Sequence, residues 1–322
     1  MTRETAPPTT GLPTSGLPAT GLPANGLPPE PLALPDMAEA GNASGARALI
    51  AGVLSSWPAR ISAAVLALIV AMAVTAPLLG TVDPVQLDPS IRLQAPSAAH
   101  WLGTDSFGRD MYSRIVYGAR VSLAVGAGTA IAAIAFGIFF GVLTGYFAWA
   151  DIIVMRFMDG LMAIPGILLA IALVAISGAT ITTVLIAIAI PEIPRVARMV
   201  RSVILGVRNE PYVEAASVLG TGTLQMIWRH LLPNTVAPLI VQGTYIFASA
   251  IMTESILSFL GAGVPPETPS WGNMMADGRV YFLLKPELIL YPGVMVSLTV
   301  LSVNLLGDVL RDRLDPRMAK RL

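Results

Sequence analysis

Residues 211–234 read Pro-Tyr-Val-Glu-Ala-Ala-Ser-Val-Leu-Gly-Thr-Gly-Thr-Leu-Gln-Met-Ile-Trp-Arg-His-Leu-Leu-Pro-Asn, and this stretch decides how the rest of the chain is interpreted. It is short, polar and punctuated by its own turn residues, whereas the chain on both sides of it is apolar enough to lie in lipid. We name it the hairpin. A water-facing segment between two membrane-embedded stretches indicates a surface with a function of its own.

Local signals predict a helix, a turn and a second helix within the hairpin. Asn209 is expected to cap the first helix, because an Asn side chain accepts hydrogen bonds from unpaired amides, and Pro211 is tolerated in the first turn. Gly220 is expected to end that helix in the left-handed conformation that glycine adopts easily. Thr223 is expected to cap the second helix, and Pro233 to end it.

Composition places the whole chain in a membrane. Of its 322 residues 54% are hydrophobic and only 12% are charged, and the mean hydropathy is +0.70. Twenty basic residues balance twenty acidic ones, so no net charge favours a nucleic-acid partner. The sequence contains no cysteine, and its two histidines, His100 and His230, are too far apart to predict a metal site.

The first 50 residues differ in composition from the rest. Gly-Leu-Pro recurs with a five-residue step from Gly11 to Gly26, and this pattern predicts a disordered Pro/Gly-rich cytoplasmic tail at 1–50. A Pro-rich ligand for a partner domain is the alternative interpretation. A signal peptide is not favoured, because the long apolar stretch begins only after Trp57 and Pro58.

Six apolar runs follow, and they predict an all-α integral membrane protein with six transmembrane helices. The runs are 61–79, 121–148, 161–177, 180–190, 236–260 and 288–306. They divide the chain into a first transmembrane helix at 51–80, an external loop at 81–119, a membrane core at 120–310 that holds a cytoplasmic loop at 201–234, and a basic cytoplasmic C-terminus at 311–322.

The distribution of basic residues orients these spans. An even number of spans puts both termini on one side, and cytoplasmic loops carry the excess of Lys and Arg. With both termini cytoplasmic, fourteen of the twenty basic residues lie inside, and the remaining six are Arg92, Arg109, Arg114, Arg120, Arg279 and Lys285. This orientation puts the hairpin in the cytoplasm.

Two features leave alternatives open on spacing alone. The hairpin is equally compatible with docking to a partner protein and with an amphipathic helix pair lying on lipid. Gly137, Gly141 and Gly145 share one helix face, where another helix can approach closely. Packing within the chain is favoured there over homodimerisation.

The motifs of the chain, taken together, are similar to those of one transporter family. Glu214-Ala-Ala, then Gly220, then Leu232-Pro233-Asn resemble the coupling loop of ABC importer permeases. Further stretches resemble the second membrane subunit of the dipeptide, oligopeptide and nickel importers. They are Trp101-Leu-Gly-Thr-Asp, Gly108-Arg-Asp, Tyr117-Gly-Ala-Arg-Val-Ser-Leu, Leu257-Ser-Phe-Leu-Gly, Pro269-Ser-Trp-Gly-Asn-Met, Asn304-Leu-Leu-Gly-Asp and Leu314-Asp-Pro-Arg.

The resemblance covers roughly residues 60 to 317, with a departure at Pro191-Glu192-Ile193-Pro194 before the arginines of the fourth run. It implies the type I ABC importer (MetI-like) permease fold in a bacterial inner membrane. It also implies a heterodimer with a homologous permease, two ATP-binding subunits and an external solute-binding protein, with di- or oligopeptides or a related small solute as cargo. The residues that it implies for ATPase docking are Glu214, Ala215, Ala216, Gly220, Leu232 and Pro233.

ATP hydrolysis is not expected in this chain itself. Its two lysines, Lys285 and Lys320, do not lie in the glycine-rich motif that binds nucleotide phosphates. No cofactor is therefore expected on this chain, and ATP and Mg²⁺ are expected on the partner subunits. The alternative function is a secondary transporter or channel that acts without an ATPase, although such carriers usually hold several acids or histidines at mid-membrane depth.

Other polar residues are weaker candidates for a functional site. Glu254, Gln242 and Asn304 are interpreted as pathway or helix-interface residues, since polar groups within spans need a partner or water. Asp105, Arg109 and Trp271 lie in predicted outside loops, where they either contact the binding protein or fold the loop. Glu192, near the end of its span, is expected to form an interfacial ion pair with Arg195 and Arg198 beside it.

Overall fold

The computed structural model describes residues 56–314, and its α-helices confirm the all-α prediction for that range. The predicted tail at 1–50 and the last eight residues lie outside the described range. The helices in chain order are α1 Trp57–Val74, α2 Met111–Tyr146, α3 Ala148–Ala163, α4 Gly166–Ser177, α5 Ile181–Arg208, α6 Pro211–Val218, α7 Thr223–Met226, α8 Val236–Phe259, α9 Trp271–Gly278 and α10 Glu287–Leu314.

Four segments of the described chain are long and apolar enough to cross a membrane. They are α1, α2, α10 and the nearly continuous helical segment Thr223–Phe259, which includes α8. The pair α3 and α4 adds a fifth candidate span, bent by 91° between Ala163 and Gly166. The prediction of a multi-pass helical membrane protein is confirmed, whereas the count of six spans is not.

The second span begins earlier than the sequence predicts. We expected the external loop to reach residue 119, but α2 starts at Met111. The Asp110 carboxylate accepts a hydrogen bond from the Ser113 amide at 2.8 Å and thereby caps the helix. The polar residues of this first turn, Arg114 among them, belong to a buried helix end and not to a loop.

The third predicted span, 161–177, is a bent pair of helices. α3 ends at Ala163, Ile164 is extended, and Pro165 precedes α4, which continues for only 12 residues. Pro165 disfavours the helical conformation of the residue before it, which explains the break. Residues 161–177 are apolar as predicted, but they belong to two helices joined by a bend and not to one straight span.

The fourth predicted span does not end at its prolines. α5 runs from Ile181 through Pro191 and Pro194 to Arg208. A proline removes one helical hydrogen bond and crowds the preceding turn, so tertiary packing must hold this helix together. That packing comes from α2, which makes the most extensive helix contact in the described chain with α5.

Three glycines make this contact close. A Cβ atom added to Gly137 would lie 2.4 Å from the Val196 side chain, and one added to Gly141 would lie 2.6 Å from that of Val200. Gly145 faces Ile204 in the same way. The glycine face therefore packs within the chain, which was the favoured interpretation.

Candidate functional site

The hairpin has the predicted order of helix, turn and helix. α6 ends before Gly220, which adopts a φ of +81° and so turns the chain in the left-handed conformation expected of it. α7 follows, and a π-helical turn at Ile227–Leu231 and a 3₁₀ turn at Leu232–Thr235 lead directly into α8. Pro233 therefore does not end the second arm, because the 3₁₀ turn carries the helical path onward.

The two predicted caps of the hairpin are wrong. Glu210, not Asn209, is the residue before α6, and its side chain makes no capping hydrogen bond. Thr223 is the first residue of α7, and Gly222 precedes it without a side-chain cap. Pro211 sits in the first turn of α6 and reduces the number of amides that need a cap.

One face of the hairpin is anchored in the core of the chain. Val213, Met226 and Leu231 are buried in a cluster with Val200 and Ile204 of α5. The Asn234 side chain also donates hydrogen bonds to the His230 carbonyl at 2.7 Å and to the Tyr212 hydroxyl at 3.3 Å, linking the two arms. These contacts link the hairpin to α5, and its two arms to each other.

The opposite face of the hairpin is open. Glu214, Ala215 and Gly220 are exposed, and Ala216 is half-buried. Next to them the apolar side chains of Val218 and Leu219 are 88% and 86% exposed. Together they form a small apolar patch beside a carboxylate, a surface that a partner protein or lipid could cover.

The six residues predicted for docking do not all share this open face. Leu232 is half-buried and Pro233 is exposed, and both belong to the 3₁₀ turn that joins the hairpin to α8. Their position connects the hairpin to the membrane helix. Val218 and Leu219 were not among the predicted residues, although two adjacent large apolar residues just before a helix-ending glycine are a signal for an exposed helix end.

Two ion pairs brace the helices next to the hairpin. Both guanidinium arms of Arg201 contact the Asp151 carboxylate of α3, at 2.5 and 2.7 Å. Arg198 contacts the carboxylate of Asp159, which also lies on α3, at 2.6 Å. These pairs join α3 to α5. They could not be predicted from the sequence, because their members lie far apart along the chain.

The N-terminal end of α2, opposite the hairpin, holds a cluster of buried charges. Arg109 contacts Asp105 and Asp277, each at 2.6 Å, and Arg114 contacts the same two carboxylates. We name Asp105, Arg109, Arg114 and Asp277 the buried ion cluster. It fastens the loop before α2 to the short helix α9.

The loop residues that allow two interpretations lie inside the protein. Asp105, Arg109 and Trp271 are all buried, and the Trp271 indole donates a hydrogen bond to the Ile115 carbonyl at 3.1 Å. Contact of these residues with a binding protein stays a prediction. The alternative interpretation, that these residues fold the loop, agrees with the structure.

The three pathway candidates lie apart. Glu254 is fully buried in α8, and one carboxylate oxygen accepts a hydrogen bond from the Ser258 hydroxyl at 2.9 Å. Gln242 is half-buried and lies about 18 Å nearer the hairpin along the same helix. Asn304 of α10 is exposed. Enclosure of Glu254 between helices agrees with a helix-interface role for this residue.

Residues 56–314 contain no group of three acids or histidines that could hold a metal ion. The described helices form a multi-pass membrane protein. At one end the hairpin is anchored on one face and exposed on the other, and at the opposite end the buried ion cluster holds a loop in place.

The family can now be named. A family model described as "Binding-protein-dependent transport system inner membrane component" matches residues 133–320, and the chain belongs to this family. The chain is a permease subunit of a binding-protein-dependent importer, and not an enzyme. Membership implies ATPase and substrate-binding partners, and the resemblance drawn from the sequence motifs is confirmed.

Curated relatives carry names from the same class. The chain is 51% identical over 250 residues to a protein named probable peptide ABC transporter permease from Sinorhizobium fredii, which covers 78% of this chain and 86% of the relative. It is 46% identical to a dipeptide transport system permease from Alkalihalophilus pseudofirmus, over 77% of this chain and 82% of the relative. It is 44% identical to a glutathione transport system permease from Pectobacterium atrosepticum, over 70% of this chain and 75% of the relative.

Proposed function

We propose that this chain is one of two homologous permease subunits of an ATP-driven importer for di- or oligopeptides in a bacterial inner membrane. The names of the relatives support the cargo, since dipeptides and glutathione are both short peptides. In this proposal two ATP-binding subunits, which use ATP and Mg²⁺, and an external solute-binding protein complete the assembly.

Six spans with both termini cytoplasmic belong to the same proposal. The 28 residues of α5 extend about 42 Å, which is longer than the ~30 Å hydrocarbon core. Counting α5 and the bent pair with the four long apolar segments gives six spans. The excess of Lys and Arg on the hairpin side supports this orientation.

The open face of the hairpin supports docking to an ATPase subunit. A cytoplasmic ATPase offers a cleft that could cover Val218 and Leu219, and covering them removes apolar surface from water. Glu214 and Ala215 lie on the same short helix, where a carboxylate and a small side chain allow close polar contact. This exposed face is the observation that carries the proposal.

The anchored face suggests how movement of an ATPase would reach the membrane. Displacement of the hairpin acts on α5 through Met226 and Leu231, and on α8 through the 3₁₀ turn Leu232–Thr235. ATP-driven closure of the ATPase pair would then shift these helices and open the pathway to the other side. Such coupling requires that the permease has two conformations. The ATPase site and the transport pathway must each favour one of them.

The test uses the whole complex with a tag on this chain. Val218→Asp combined with Leu219→Asp puts two charges on the docking face, and we expect the ATPase subunits to bind roughly 100-fold more weakly. Co-purification of the ATPases and uptake of a labelled dipeptide into proteoliposomes measure the effect.

A matched control is Leu283→Asp, which changes a side chain that is 94% exposed but lies outside the hairpin. We expect this variant to retain its ATPase subunits. The docking proposal fails if the double variant keeps both its ATPases and its transport rate.

A further inference from the structure

A polar pocket lies at the bend between α3 and α4, away from the hairpin and the buried ion cluster. Its volume is about 260 Å³, and its polar side chains are Glu192 and Arg195 of α5 and Thr253 of α8. The bend itself supplies much of the remaining wall, from Leu161 to Ile167. Two of its lining residues, Pro191 and Glu192, belong to the segment in which the sequence departs from the family pattern.

The two charged side chains of this pocket lie in the interior of α5, just beyond the end of its apolar run at residue 190. Glu192 is eleven residues from the start of this helix, about 16 Å along its axis. The Arg195 guanidinium contacts the Glu192 carboxylate at 2.7 Å. Their side chains are 46% and 13% exposed, respectively, so the arginine in particular can reach a molecule in the pocket.

Helix stabilisation alone is a weak reason for these charges. An ion pair three residues apart on a helix stabilises it only slightly, whereas charged side chains in a helix that crosses lipid are costly. The same helix also carries Pro191 and Pro194, which remove two of its backbone donors. Charged residues in such a setting mark the path of a polar substrate more often than a packing contact.

The backbone at the bend gives the pocket a second pair of opposite charges. The C-terminus of α3 presents carbonyl groups without helical partners, and the N-terminus of the 12-residue α4 presents amides. Gly166 permits the close approach here, since a Cβ atom on it would lie 3.2 Å from Pro191. Broken helices whose ends meet a substrate near the midplane are known from other transporter folds.

We propose that this pocket binds the two charged ends of a short peptide in transit, with Glu192 taking the α-ammonium group and Arg195 the α-carboxylate. The inference rests on the proposed peptide function. A zwitterionic peptide replaces the internal ion pair with two new ones, so the pocket stays electrically neutral. The two groups contact each other at 2.7 Å in the structure, so binding requires their side chains to move apart to the ~7 Å that two extended residues span.

The apolar part of the wall explains how different side chains would be accepted. Leu161, Met162 and Ile167 offer no polar group that would select one side chain over another. Methionine in particular adapts its shape to different neighbours. Recognition through the peptide ends, with tolerance for the side chains, is the specificity that this geometry predicts.

The first test neutralises both charges at once. Glu192→Gln with Arg195→Gln keeps two side chains that can hydrogen-bond to each other and leaves no unpaired charge. In the complete complex in proteoliposomes, we expect dialanine uptake to fall roughly tenfold while ATPase stimulation by loaded binding protein is retained. Unchanged uptake would overturn the site, whereas no dialanine uptake by the unchanged complex would overturn the peptide function, and the site with it.

A second measurement decides the case in which the double variant assembles poorly. Met162 of the otherwise unchanged complex is replaced by photoreactive benzoylphenylalanine, with Ile152 of the same helix, 76% exposed and outside the pocket, as the matched control position. We expect labelled dialanine to attach at position 162 only, in detergent and without binding protein. An excess of dialanine should suppress the labelling, and N-acetyl-dialanine amide, which lacks both charges, should not. Equal labelling at both positions, or equal competition by both compounds, would overturn the proposal.

Discussion

The two ends of α2 are built in opposite ways. At its N-terminal end the buried ion cluster encloses four charged side chains and fastens a loop to α9. At its C-terminal end the hairpin exposes Val218 and Leu219, and the neighbouring ion pairs of Arg198 and Arg201 are partly open to solvent. One end is thus fixed by internal contacts, while the other leaves an open face that we propose a partner covers.

The largest effect is expected in the buried ion cluster. Asp105→Asn removes the carboxylate shared by Arg109 and Arg114 and leaves two buried cations with one acid. We expect a loss of about 3 kcal/mol or more in the free energy of unfolding, measured in detergent. Glu267→Gln, an exposed acid in the loop before α9, is the control and should change little. An equally small effect of Asp105→Asn would mean that this end is not fixed by its charges.

An intermediate effect is expected where the hairpin is anchored. Met226→Ala removes a buried side chain from the cluster that joins the hairpin to α5, and we expect a loss of about 2–3 kcal/mol in stability. Leu224→Ala changes an exposed side chain of the same helix and serves as the control. Dipeptide uptake per ATP hydrolysed should fall for Met226→Ala. A normal ratio would contradict transmission through this anchor.

A smaller effect is expected for the pair between α3 and α5. Arg201→Ala removes a two-pronged contact with Asp151, but both side chains are about one-third exposed or somewhat less, at 33% and 26%. Solvent screening limits the loss to about 0.5–1 kcal/mol. High salt should weaken the pair in the unchanged protein and so reduce this difference, whereas the effect of Asp105→Asn should persist. Thermal unfolding at two salt concentrations measures both.

The smallest effect is expected for Arg198→Ala. Its guanidinium and the Asp159 carboxylate are 44% and 57% exposed, so their contact at 2.6 Å contributes about 0–0.5 kcal/mol. Thermal unfolding of this variant beside Arg201→Ala gives the comparison. If Arg198→Ala loses more stability than Arg201→Ala, solvent exposure does not determine how much each of these two ion pairs contributes to stability.

The sequence predicted the hairpin and the apolar runs because their signals are local. Gly220 ended its helix as expected, and 236–260 coincided closely with α8. The path of α5 through Pro191 could not be predicted, because the glycines that support it lie about fifty residues earlier on α2. The Arg114–Asp277 contact was inaccessible for the same reason, since its members are 163 residues apart.

The site shows the same division between local and long-range information. Glu214 and Ala215 were identified from a motif, and the structure places them on an exposed face. Burial of Asp105 and Trp271 depends on α9 folding back over the start of α2, which spacing does not reveal. The docking role of the hairpin and the binding role of Glu192 stay predictions for the experiments above.

The glycine face of α2 has a consequence for how the permease can change shape. Gly137, Gly141 and Gly145 repeat every four residues, and so do Val196, Val200 and Ile204, which rest on them. A shift of α5 along α2 by less than one helical turn, about 5.4 Å, would press these side chains against the larger residues between the glycines. Small sliding movements are therefore blocked, and we expect the two helices to turn together as one rigid unit during each transport cycle.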